Sequence, residues 1–172
     1  MTQGLKTKPI LFALSAGVMA LGAASLALPL SAQDLYRNKI DNDMRQCAPG
    51  GGPAVRVTVQ GVKNGSGVVR VQSYRGTKAD WLEKGRWLNR IEAPARSGTM
   101  YFCMPVPETG SYGIAVRHDV NGNGKTDLSE DGGGMSNNPS INIFNLGKPS
   151  YTKTAFEVGA GITTIRVQMK YM

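Results

Sequence analysis

From Pro53 onward, apolar and polar residues alternate with a period of two, the signature of strands that bury one face. Val55, Val57 and Val59 alternate with Arg56, Thr58 and Gln60. Residues 61–67 (GVKNGSG) turn the chain, and Val69 and Val71 then alternate with Arg70 and Gln72, which predicts a hairpin-like start. The period breaks over residues 77–85 (TKADWLEKG), where Thr77 or Asp80 is expected to cap one or two helical turns that bury Trp81 and Leu82. Residues 87–91 (WLNRI) predict a short edge strand. Met100, Phe102, Met104 and Val106 form one face of the next strand, with Tyr101 and Cys103 on the other. After the turn at Glu108-Thr109-Gly110, Tyr112, Ile114, Val116 and His118 share a face, opposite Gly113, Ala115 and Arg117. A polar, glycine-rich region follows. Phe156 and Val158 mark a strand, Ala160-Gly161 a turn, and Ile165, Val167, Met169 and Tyr171 the buried face of a last strand.

About seven strands joined by Gly, Pro and Asn turns, with no long helical period, predict an all-β domain over residues 53–172. Each sheet must bury its apolar face, so the expected fold is a single antiparallel β-sandwich, an immunoglobulin-like or transthyretin-like Greek key. A small closed barrel is the alternative. Residues 33–52 are polar and then rich in Gly and Pro, and they read as a linker or draped N-terminal segment that Cys47 pins down.

The first residues have a different pattern. Lys6 and Lys8 precede an apolar stretch from Ile10 to Leu30, and no acidic residue appears before Asp34. This is the layout of a signal peptide over residues 1–32, with cleavage after Ala32, or second-best after Ala27. The stretch is long enough for a membrane anchor, but Gly17, Gly22, Ser25 and Pro29 weaken that reading. No Cys sits at the cleavage region to carry a lipid. The expected destination is the periplasm or the exterior, with no membrane span left after cleavage. Loss of Lys6 and Lys8 lowers the net charge from +8 to +6. The basic residues are scattered singly, which fits a solvated surface or attraction to an anionic envelope or extracellular partner, and not a nucleic acid. Cys47 and Cys103 are the only thiols among 172 residues, and in an oxidising compartment two lone cysteines pair. Because Cys103 lies opposite the apolar face of its strand, the bridge is expected across the outside of a sheet.

The stretch from His118 to Asp131 (HDVNGNGKTDLSED) carries the clearest chemistry. Asp119, Asn121, Asn123, Gly124 and Glu130 fit the pattern D-x-[DN]-x-[DN]-G-x5-E, with Asp127 in the ninth position. Calcium takes six to eight oxygen ligands, and oxygen side chains at alternate positions of a tight loop supply them. Asp119, Asn121, Asn123, the Lys125 carbonyl, Asp127 and Glu130 are the expected Ca2+ ligands, at a strand end and not between two helices. The simpler reading is a turn in which Asn and Gly tolerate positive φ. His118, the sole histidine, reads as an imidazole hydrogen-bonded at the strand end, with a general base as the sharper alternative. Ser136, Asn137 and Asn138 read as turn residues, or as groups near His118. Tyr74, Trp81 and Trp87 read as packing residues, or as a sugar-binding face.

The run from Gly110 to Asp127 (GSYGIAVRHDVNGNGKTD) and the later Gly134-Met135-Ser136-Asn137-Asn138-Pro139 resemble the bacterial domain-of-unknown-function family numbered 2141. The resemblance covers about residues 53–172 and is most specific over 110–138. It implies an exported, single-domain β-sandwich and no particular activity. Between Asp127 and Ser136 the chain is shorter than the family's pattern, and Glu130 lies in that shortened stretch.

The expected function is therefore a non-catalytic exported module with a structural calcium loop and an envelope or extracellular partner. The alternatives are a hydrolase using His118 and Asp119, and an accessory domain without metal.

Overall fold

Alternation of apolar side chains along the strands produces two sheets that share one core. The computed structural model describes Met1 and residues 35–141 and 147–172, so the expected signal peptide lies outside the described residues apart from Met1. Among the described residues ten strands form: β1 (Asn38–Lys39), β2 (Ala54–Val62), β3 (Val68–Arg75), β4 (Asn89–Pro94), β5 (Gly98–Pro105), β6 (Gly110–Asp119), β7 (Gly132–Met135), β8 (Phe156–Val158), β9 (Ile162–Gln168) and β10 (Lys170–Tyr171). A 3-10 helix (Met44–Cys47) precedes β2, and a single helical turn, α1 (Tyr151–Thr154), precedes β8.

The larger sheet has the order β1-β4-β3-β6-β7-β10, with β8 also pairing β6; the smaller has the order β5-β2-β9. Neither sheet is purely antiparallel, because β1 runs parallel to β4 and β2 parallel to β9. The expectation of seven antiparallel strands is corrected on both points. The added strands are β1, β7 and β10, and pieces of two to four residues, three of them glycine in β7, carry too little alternation to be read.

The hairpin expected between Val59 and Val69 does not form. Strand β2 pairs β5 and β9, whereas β3 pairs β4 and β6, so residues 63–67 cross from one sheet to the other. The physical reason is that both valine runs need the same core. Val55, Val57 and Val59 are fully buried in a single cluster with Val69 and Val71. Phe102, Met104 and Val167 join from the small sheet, and Ile91, Ile114 and Val116 from the large one. Each such side chain contributes about 1.5–3 kcal/mol relative to exposure. Gly67 permits the crossing: its φ is +70°, and a Cβ there would lie 1.9 Å from the Asp119 carbonyl oxygen.

Three further expectations change. Residues 77–85 form turns instead of helix, although Trp81 is buried as expected. The strand expected at residues 87–91 begins at Asn89 and is not an edge, since β1 covers it. The last strand is two, for the chain leaves the small sheet at Met169, whose N–H donates to the Gln60 carbonyl at 2.8 Å, and joins the large sheet as β10. No helix among the described residues is long and apolar enough to cross a membrane.

The cysteine expectation holds. Cys47 and Cys103 are bridged, and with Ala54 and Ile162 they form a separate cluster on the outer side of the small sheet. The segment before β2 docks there. Asn42 takes the place of a neighbouring strand at the edge of β5: its amide donates to the Tyr101 carbonyl at 2.9 Å, and its oxygen accepts from the Cys103 N–H at 3.0 Å. The bridge closes a separation of 56 residues. Replacing both cysteines with serine is expected to cost up to ~4 kcal/mol and to lower the thermal midpoint by on the order of 10 °C. Thermal denaturation of the variant beside the reduced native protein checks this, and the two midpoints are expected to agree.

Candidate functional site

Strand β6 organises the site because its two faces do different things. Tyr112, Ile114, Val116 and His118 point into the core, while Ala115 and Arg117 face outward. The loop that follows begins at Asp119, whose side chain is 5% exposed. Its Oδ2 accepts from the Gly124 N–H at 2.9 Å and from Arg117 Nη2 at 2.9 Å. Its Oδ1 is buried without a hydrogen-bond partner.

Beyond Asp119 the loop is a chain of Asx-type turns. The Asn121 oxygen accepts from the Asn123 N–H at 3.0 Å, and the Asn123 oxygen from the Lys125 N–H at 2.7 Å. Four of the predicted side chains then meet. Asn121 Nδ2 donates to Asp127 Oδ2 and to Glu130 Oε2, both at 3.0 Å, and Asn123 Nδ2 donates to the same Asp127 oxygen at 2.6 Å. These two amides hold the Asp127 carboxyl below its ordinary range. The glycines at 122 and 124 have φ of +69° and +79°, the left-handed conformation the tight loop requires.

Two residues missed by the sequence pattern complete the loop. Asp131 accepts from the N–H groups of Val120 and Asp127, each at 3.0 Å, and so clasps the loop at both ends. Arg117 spans it, donating from Nη1 to Thr126 Oγ1 at 2.9 Å and from Nη2 to the Gly124 carbonyl at 3.0 Å. Burial and repulsion from Arg70 push the Arg117 guanidinium below its usual value, against the pull of Asp119 and Asp131. The charge of Arg117 was visible only as one basic residue among many. Among the described residues, no group of three or more His, Cys, Asp or Glu side chains is gathered closely enough to hold a metal ion, since amides stand between the carboxylates.

His118 is fully buried. Its Nε2 is 2.7 Å from the Ser66 carbonyl, so this nitrogen carries the proton; its Nδ1 is 2.8 Å from the Tyr171 hydroxyl. That hydroxyl also accepts from the Lys63 N–H at 2.9 Å, which ties the imidazole through it to the crossing turn. Both ring nitrogens are engaged between the crossing turn and β10, an arrangement that fits the strand-end reading of the imidazole. Ser136 is equally buried: it accepts from the Ile114 N–H at 3.0 Å and donates to the Thr154 carbonyl at 2.6 Å. Asn137 and Asn138 adopt φ of 61° and 49° and donate to the carbonyls of Ala155 and Arg166. The S-N-N signature thus fastens neighbouring segments together and is not brought to His118.

The outer face of the large sheet carries a second apolar cluster of Tyr74, Trp81, Trp87 and Met135. Trp81 packs edge-on against Tyr74 at 5.4 Å and donates from its indole to the Pro149 carbonyl at 2.8 Å. A Cβ on Gly113 would lie 2.5 Å from the Trp81 ring, so the glycine makes room for the indole. Between this cluster and the loop lies a cavity of about 540 Å³.

The chain belongs to the bacterial family described as "Uncharacterized protein conserved in bacteria (DUF2141)", whose profile matches residues 57–166. No curated protein and no solved structure matches the chain.

Asp80 holds the Trp81 turn in place. It accepts from Thr77 Oγ1 at 2.7 Å, the Tyr36 hydroxyl at 3.0 Å and Arg86 Nε at 2.8 Å. Burial raises its pKa, but the hydrogen bonds and the Arg86 charge outweigh burial and hold the carboxyl below its ordinary range. A depressed folded-state pKa stabilises the fold above the unfolded value of about 3.9, and that contribution disappears as pH falls through the folded value. Asp80→Asn is expected to lose about 1–3 kcal/mol at neutral pH and to show a shallower loss of stability below pH ~4, read by urea denaturation across pH.

Proposed function

We propose that the protein is an exported, non-catalytic β-sandwich module whose 119–130 loop binds calcium as a structural ion, and whose surface serves an anionic envelope or extracellular partner. Asp119 carries the ion reading. One of its oxygens is held by the Gly124 N–H, and the other is buried with nothing to satisfy it. An orphaned buried carboxylate oxygen is costly, and a cation at the loop's centre removes the cost. Asp119, Asn121, Asn123, the Lys125 carbonyl, Asp127 and Glu130 supply oxygens of the type calcium requires, once the Asn121 and Asn123 amides present oxygen in place of nitrogen. The Arg117 guanidinium already neutralises part of the loop, so the affinity belongs at the weak end, roughly 10⁻⁴–10⁻³ M, as in extracellular calcium modules.

Export is supported by the basic and then apolar pattern of residues 1–32 and by the disulfide, which persists in oxidising compartments. A non-catalytic role is supported by the burial of His118 and Ser136, whose polar atoms are all used within the fold.

With a Kd near 10⁻⁴ M, 10 mM calcium is expected to stabilise the protein by about 2.7 kcal/mol. A thermal-shift series with calcium, magnesium and chelator measures this. Asp119→Ala combined with Asp127→Ala is expected to abolish the calcium response. Equal midpoints in calcium and chelator defeat the ion reading and leave a metal-free accessory domain.

A further inference from the structure

The outer face of the large sheet collects more positive than negative charge around the 540 Å³ cavity. Arg70 and Arg117 are register partners on β3 and β6, and Arg90 lies opposite Gln72 on β4, one step along the same face. All three guanidiniums are half-buried. Glu92 serves several cations at once, lying 2.6 Å from Arg70 Nε, 3.8 Å from Arg90 Nη1 and 3.6 Å from Lys39 Nζ. The other nearby carboxylates, Asp119 and Asp131, are already bound to loop N–H groups. Arg90 is fixed in place by stacking over the Trp87 ring at 4.1 Å. Repulsion from Arg70 lowers its pKa further than burial alone.

The rest of the cavity has a different character. Leu82, Ala115, Met135 and Ile141 line it, and a Cβ built on Gly133 meets nothing within 4 Å. Leu82 is presented to it from a left-handed backbone, with φ of 56°. Lys148, Lys170 and Asp131 also line it, with Leu128 and Tyr171. A second cleft, lined by Arg90 and Trp87, meets the first at Arg70, Gln72 and Leu82. The volume lies within the range of small-molecule sites, which are mostly apolar with a few converging polar groups.

We infer that this groove binds a single-chain amphiphilic anion, a fatty carboxylate, with its acid group between Arg70, Arg90 and Arg117 and its apolar chain along Leu82, Ala115, Gly133 and Met135. Arg70, Arg90 and Arg117 form one cluster beside the apolar lining, and Lys170 stands apart from it as the register partner of Gly133, which suits one charged head on an apolar body. A polyanion needs charge along its whole length. Guanidinium forks suit both carboxylate and phosphate, and a carboxylate fits a site where Glu92 and Asp119 leave only a small surplus of positive charge. This inference narrows the anionic partner of the proposed function to one chemical class, and it does not involve calcium.

The test is calorimetric titration of the disulfide-bonded protein with dodecanoate below its micellar range, in chelator. Saturable one-to-one binding is expected. Acetate, which is head alone, and dodecanol, which is chain alone, are expected to bind at least tenfold more weakly. Arg70→Gln is expected to weaken dodecanoate at least tenfold. Gly133→Leu, which fills the groove floor, is expected to abolish binding without moving the thermal midpoint; Gly133→Val, with a smaller side chain, replaces it if the leucine variant does not fold. Absence of dodecanoate binding overturns the inference, as does binding that survives both Gly133 substitutions. Dodecyl phosphate bound more than tenfold more tightly than dodecanoate overturns the carboxylate assignment. Because chelator is present throughout, failure here is separate from failure of the calcium reading.

Discussion

Burial of alternate side chains along β6 is the constraint on which the remaining structure depends. One face of this strand supplies Tyr112, Ile114, Val116 and His118 to the core and fixes its position between β3 and β7. The other face is then obliged to point outward, carrying Arg117 and Ala115 to wherever the core has placed the strand. A one-residue slip would send Arg117 into the core and Val116 to the surface, so the core sets the register of the site. The site's precision thus derives from apolar contacts that take no part in its chemistry.

Most of the sheet faces were legible because a period of two is a direct record of which side is buried. The valines of β2 and β3, the face of β5, the outward Cys103 and the core face of β6 are all visible in the residues. Pairing was less legible. Val59 and Val69 read as neighbours across a turn, and only the shared core shows that they face each other from opposite sheets. Short strands such as β1 and β7 have no periodicity to read and exist because longer neighbours offer them unpaired edges. The loop's internal turns were legible from its Asn and Gly spacing. Its outer clasps were not: Asp131 and Arg117 act through contacts that no local pattern encodes.

Arg117 joins two regions that would otherwise be separate. It pairs with Asp119, reaches Thr126 and Gly124 across the loop, and also lines the neighbouring groove with Arg70. Its Nε is buried without a partner, so one part of this cation is already under-satisfied. Any change in charge on either side acts on the same guanidinium. The loop and the groove therefore share an electrostatic balance through Arg117.

The chain's passage from one sheet to the other at Met169 bears on how the molecule comes apart. Tyr171 pairs Gly132 in β10, receives the Lys63 N–H and contacts His118, while Val167, a few residues earlier, belongs to the opposite layer. The tail works like a stitch passed through two plies of cloth. Fraying cannot proceed ply by ply, because drawing out the last residues uncovers the rim of β7 and unseats the histidine in the same movement. Loosening at the carboxyl end is felt at once in the middle of the fold.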